Sequence, residues 1–85
     1  MYIKEVMGTI IRCRDVGIMI RIKDHEPPHV HAIRGDGEAK IEIITREVVF
    51  LVGFSKNDLK RIQAFIARNE ALLMEAWNEI HEEES

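Results

Sequence analysis

The sequence has one cysteine, two prolines, few aromatic side chains and no long apolar run. Each scarcity closes off a class of protein. A lone thiol, Cys13, makes no internal disulfide, which excludes a secreted, disulfide-held scaffold. With no Cys/His dyad pattern, Cys13 reads as a small, half-buried side chain. A membrane-spanning helix needs about 20 apolar residues in a row. The longest apolar cluster, Val48 to Val52, is only strand-sized. Met1 to Ile11 carries Lys4, Glu5 and Gly8 and lacks the unbroken apolar core of a signal peptide. The expected location is therefore the cytoplasm, without membrane association. Repeats and low-complexity linkers are also missing.

What is present amounts to one domain, residues 1–85. A chain of this length buries about 60% of its unfolded surface, so a bound metal or a partner chain weighs more than in a larger protein. The net charge of −3 is unevenly placed. Residues 1–46 hold eight Lys/Arg against seven Asp/Glu, and residues 47–85 hold four against eight. An acidic balance argues against nonspecific DNA binding, although it leaves room for a local basic face.

The patterning predicts an α+β fold, with a small antiparallel sheet against one long C-terminal helix. Turn signals at Asp15-Val16-Gly17, His25-Glu26-Pro27-Pro28, Gly35-Asp36-Gly37 and, more weakly, Thr45-Arg46-Glu47 divide residues 9–52 into short apolar runs. Four strands follow: Gly17 to Lys23, His29 to Arg34, Glu38 to Ile44 and Glu47 to Val52. A fifth, around Thr9 to Cys13, is less well specified. Glu47 to Val52 is apolar on both faces, which suits a central strand or an interface strand. Ser55 and Asp58 form a variant capping box, with Phe54 as a hydrophobic staple before the cap. Leu59, Ile62, Phe65, Ile66, Leu73, Trp77 and Ile80 then make one apolar stripe. A helix over about 55–81 is roughly 40 Å long, more than a small sheet needs, so its far end should meet another chain or fray. The acidic tail, residues 82–85, reads as solvated.

The chemistry is concentrated in one segment. Asp24, His25, His29 and His31 fall within eight residues. His29 and His31 are two apart on a strand, so their rings share a face, and Pro27-Pro28 stiffens the approach. If the isoleucines of the alternating strands pack under the helix, the opposite, open face collects Arg21, Lys23, His29, His31, Lys40 and Glu42. Imidazole nitrogens beside a carboxylate suit a divalent transition metal, with His25, His29 and His31 as candidate ligands. The same segment suits acid–base catalysis through His29, His31 and Asp24. Arg21, Lys23 and Lys40 are candidate phosphate or RNA contacts. That face lacks aromatic side chains for base stacking, which weakens an RNA platform. Purely structural roles are equally consistent with the spacing, with His25 capping a turn and His29 bonding backbone at a strand start.

The run from Asp24 to His31, followed by Gly35-Asp36-Gly37-Glu38-Ala39-Lys40, Gly53-Phe54-Ser55, Leu59, Ile62, Leu73 and Glu75-Ala76-Trp77-Asn78, resembles the prokaryotic domain-of-unknown-function 4160 family. The resemblance spans about Gly8 to Ile80. It implies a small stand-alone protein with Asp24, His25, Pro27, Pro28, His29 and His31 as its signature. It also implies a partner from another small family of unknown function, numbered 2442, encoded alongside in the manner of type II toxin–antitoxin pairs. Where commoner members have an aromatic-rich strand, this chain has Ile18, Met19, Ile20 and Ile22. Three readings result. One is a binding module in a two-protein, toxin–antitoxin-like complex or a homo-oligomer. The second is a small ribonuclease-like enzyme, and the third is a metal-stabilised domain.

Overall fold

The computed structural model describes residues 9–82. Five strands form one sheet in the order β1-β2-β3-β4-β5, every neighbouring pair antiparallel. They are β1 (Thr9–Cys13), β2 (Val16–Ile20), β3 (His29–Arg34), β4 (Gly37–Glu42) and β5 (Val48–Val52). Sequential order reflects short connections, since chain-adjacent strands pair most easily. Two helices, α1 (Lys56–Arg68) and α2 (Glu70–Glu82), complete the α+β architecture.

The core forms where the alternation puts it. Ile18 pairs with Ala32, Ala32 with Ala39, and Val30 with Ile41, which lines up one apolar face across β2, β3 and β4. Ile62 and Ile66 of α1 and Leu73, Ala76, Trp77 and Ile80 of α2 are buried in the same cluster.

The single long helix expected over 55–81 is two helices. Asn69 sits between them at φ −113°, ψ 22°. Its side-chain amide donates to the Phe65 carbonyl at 2.8 Å, and its backbone N–H to Phe65 and Ile66. Its own carbonyl accepts the Leu73 N–H at 2.9 Å. Asparagine thus terminates one helix and starts the next, as its competition for backbone groups favours. The break lets both halves bury against the sheet. The far end is not left over for another chain, because Trp77 and Ile80 are in the core.

β5 is an edge strand, not a central one. Val49, Phe50, Leu51 and Val52 are each about half exposed. Lys40 pairs with Phe50 and Ile41 with Val48, so Val49 is the extra residue of a bulge.

The turn from β5 into α1 rests on two glycines. Gly53 has φ 77°, and a Cβ there would lie 2.8 Å from the Cα of Gly37. That close passage aims the chain at Ser55, whose hydroxyl caps the Asp58 N–H while the Asp58 carboxylate caps the Ser55 N–H. The Ser55 N–H, the Arg34 guanidinium and the Ser55 hydroxyl hold the Asp58 carboxyl down at about 2. Arg14, in the two-residue turn between β1 and β2, also has a positive φ, 58°, without being glycine.

Gly53→Ala should lower unfolding free energy by at least about 2 kcal/mol, from the left-handed backbone plus the clash with Gly37. Gly35 has φ 58° but open space around it, so Gly35→Ala should cost only about 1 kcal/mol. Urea unfolding of the two variants measures the difference, and equal losses would remove the close-approach argument.

Candidate metal centre

β2 ends at Ile20, and the next four residues are a turn closed by Asp24. The Asp24 N–H donates to the Arg21 carbonyl at 3.2 Å, and the Arg21 N–H donates to Asp24 Oδ2 at 3.0 Å. This turn corrects the expected strand out to Lys23. Arg21 and Lys23 leave the sheet face and are exposed in the turn, while Lys40 stays on β4. Pro27 and Pro28 then return the chain to the sheet, where the Ile43 N–H donates to the Pro28 carbonyl. The Glu26–Pro27 peptide is cis.

The segment is held from the far side by α2. Trp77 Nε1–H donates to Glu26 Oε2 at 3.2 Å. His81 stacks on Trp77 with ring centroids 3.9 Å apart, and its Nε2 lies 3.0 Å from the Asp24 carbonyl oxygen. Trp77 also lies against His29, with centroids 5.4 Å apart. Neither Glu26 nor His81 is among the residues anticipated from sequence. The i, i+4 spacing of Trp77 and His81 on one helix face was the available signal.

His29 and His31 do share a side of β3, and their rings meet edge to face at 5.1 Å. The side is not open. His29 is 4% and His31 6% exposed, and Asp24 lies against both rings. Asp24 Oδ1 lies 3.1 Å from His31 Nε2 and 3.5 Å from His29 Nε2. Burial pushes the Asp24 carboxyl up. The Arg21 N–H, the His31 hydrogen bond and the charges of His31 and His29 outweigh burial and hold it below the usual carboxylate range. His25 is exposed outside this group, beside a cavity of about 140 Å³ lined also by Glu26, Pro27, His29, Lys40 and Glu42. The fold therefore assembles Asp24, His29 and His31 rather than three imidazoles.

With both rings neutral, the protons of this cluster do not reach every buried nitrogen. His29 Nδ1–H donates to the Pro27 carbonyl at 2.9 Å, which leaves Nε2 of the neutral ring as a lone pair beside a carboxylate. His31 faces Asp24 through Nε2, and its Nδ1 lies 3.5 Å from Glu38 Oε2. One neutral imidazole cannot supply protons to two carboxylates. His29 Nε2 and His31 Nδ1 are accordingly buried without hydrogen-bond partners. A positive charge among His29 Nε2, His31 Nε2 and Asp24 resolves both defects. His29 then keeps its bond to Pro27, and His31 is free to present Nδ1–H to Glu38. Outer carbonyls and carboxylates orient metal-binding histidines in this way.

One atom from each of the three residues lies within 4.8 Å of the others. Ligand atoms of a tetrahedral zinc ion are about 3.4 Å apart, so modest contraction completes the set.

Residues 17–78 match the family described as domain of unknown function (DUF4160). The chain belongs to that family. No curated protein and no solved structure matches it. The matched span contains Asp24, His29, His31, Glu26 and Trp77, but not His81.

Trp77→Phe keeps most of the buried ring and loses the donor to Glu26. It should cost about 1–2 kcal/mol in urea unfolding and loosen the 24–28 segment in amide exchange. Unchanged exchange in that segment would show that the Trp77–Glu26 bond does not hold it.

Proposed function

We propose that this chain is a metal-binding domain in which Asp24, His29 and His31 hold a divalent transition metal ion. The observation that carries the reading is the convergence of His29 Nε2 and His31 Nε2 on the Asp24 carboxylate, with His29 Nε2 buried and without a hydrogen-bond partner there. Two imidazoles and one carboxylate suit zinc, nickel, copper or iron. Three protein ligands leave a coordination position free, where such an ion polarises a bound oxygen or lowers the pKa of a water. The cavity beside His29 and Lys40 is small and opens next to the site. A metal-free acid–base pair is less well supported, because both rings are almost fully covered and have little room to meet a substrate. Metal binding also stabilises a small core directly, since the unfolded chain offers no preformed site.

Chelator-stripped protein titrated with zinc, and separately with cobalt, should bind one equivalent. At a hundredfold excess over Kd the gain is about 2.7 kcal/mol, enough to raise Tm by about 10 °C or more. Cobalt should give the visible band of a low-coordinate nitrogen–oxygen site. Asp24→Asn retains a carbonyl oxygen for the Arg21 N–H, so the turn should persist while affinity falls by tenfold or more. Absence of binding by every divalent transition metal tried, with Tm unmoved, would overturn the reading.

A second reading is favoured by β5. An edge strand presents unpaired backbone groups, and this one adds Phe50, Leu51 and Val52 as exposed apolar side chains. We infer a partner that pairs along this edge, the small protein encoded alongside in the toxin–antitoxin-like arrangement that family resemblance implies. Co-expression should yield a stable complex, and Phe50→Lys should abolish it without changing Tm by more than about 4 °C, the range of ordinary surface substitutions. A monomer that ignores the neighbouring gene product would remove this reading.

A further inference from the structure

The register puts a second feature at the other end of β3. Arg34 closes β3 opposite His29, and Gly17 pairs with Ile33 there, so the β1–β2 turn and the first part of α1 lie at that end. A groove of about 380 Å³ runs between them, lined by Arg12, Cys13, Arg14, Arg61, Phe65 and Arg68, with Ala64. No carboxylate lines it. A neighbouring cavity of about 230 Å³ shares Arg14 and Arg61 and adds Arg34, Asp15 and Asp58.

The acids there are already matched. Arg34 pairs with Asp58 at 2.9 Å and with Asp15 at 3.6 Å. Arg61 lies 3.6 Å from the other Asp58 oxygen. Among the described residues, Arg12, Arg14 and Arg68 are in no ion pair. Four of the seven arginines of a chain with net charge −3 thus converge on one groove. The backbone gives independent support. Arg14 occupies a left-handed conformation, φ 58°, where glycine would sit without strain. Arg46 shares that conformation, at φ 65°, and there pairs with Glu70, whereas Arg14 carries its cation to the rim of the groove, without an ion pair among the described residues.

We infer that this groove binds single-stranded nucleic acid through its phosphodiester backbone. Guanidinium groups match phosphate oxygens two at a time. Phe65 and Ala64 give the groove an apolar component against which a base can lie, and an acidic peptide has no use for that component. The site is separate from Asp24, His29 and His31, and from the exposed Arg21, Lys23 and Lys40 expected from sequence. Its cations come from β1, the following turn and α1.

The test is binding of a fluorescent 12-residue oligouridine to the full chain as salt is varied. Four phosphate contacts on a single strand give a log–log salt slope of about −2.8, so affinity should fall about 50-fold between 50 and 200 mM salt. Arg14→Gly with Arg68→Gln should remove about 1.4 from that slope and weaken binding severalfold or more at 100 mM. Arg14→Gly alone should hold or raise Tm, which separates loss of a contact from loss of fold. Lys23→Gln with Lys40→Gln should bind as the parent does, and so should chelator-stripped protein, so failure of the metal reading leaves this one standing. No salt-dependent binding, or parental binding by the arginine variants, would overturn it. So would a poly-aspartate peptide that competes as well as oligouridine at equal charge.

Discussion

Three parts of the structure meet at one partly buried carboxylate. Asp24 accepts the Arg21 N–H, faces the rings of His29 and His31, and through its own carbonyl meets His81 of α2. A turn, a central strand and a terminal helix therefore converge on a single residue. A carboxylate removed from water is costly unless donors surround it. Here the carboxylate meets the turn and β3, while the backbone carbonyl of the same residue meets α2, so one residue ties three parts of the chain together. That coupling suits a chain whose core is one face of a five-stranded sheet under two short helices.

The break at Asn69 serves the same convergence. After the one-residue junction, Trp77 of α2 reaches Glu26 and His29 at the start of β3. The Gly53–Gly37 contact sets where α1 begins, and Asn69 sets where the second half departs.

Much of this was legible from sequence, in proportion to how local the physics is. The bounds of β3 at His29 and Arg34 follow from alternation and the diproline, and the capping box at Ser55 and Asp58 follows from residue type. Alternation also says that His29 and His31 share a side. It cannot say whether that side is covered, because Asp24 of the preceding turn lies against both rings and Trp77, some fifty positions away, lies against His29. The strand assigned to Gly17–Lys23 ran too far because Asp24 closes a turn that competes with the ladder, and the apolar period showed no trace of this. Asn69 carried a real signal, a poor helix former inside a long stripe, that the regular spacing of isoleucines and leucines outweighed. The arginine groove had no local signal, since Arg12 and Arg14 meet Arg61 and Arg68 only through the fold.

What distinguishes the Asp24 cluster from ordinary core is that it is the wrong chemistry for stability alone. Valine or isoleucine at positions 29 and 31 would fill a buried strand side without leaving ring nitrogens unpaired, and a half-satisfied polar network is worse than an apolar one. Net stabilities of small domains are only a few kcal/mol, so two orphaned nitrogens beside a carboxylate are a considerable fraction of the total. The same groups become a consistent set once a cation joins them. Each imidazole then has one nitrogen for the ion and one for an outer oxygen, the Pro27 carbonyl for His29 and Glu38 for His31. The local rules fail at Asp24, His29 and His31 together, where a single added charge would satisfy them all, and this is the pattern expected of a site rather than of a defect.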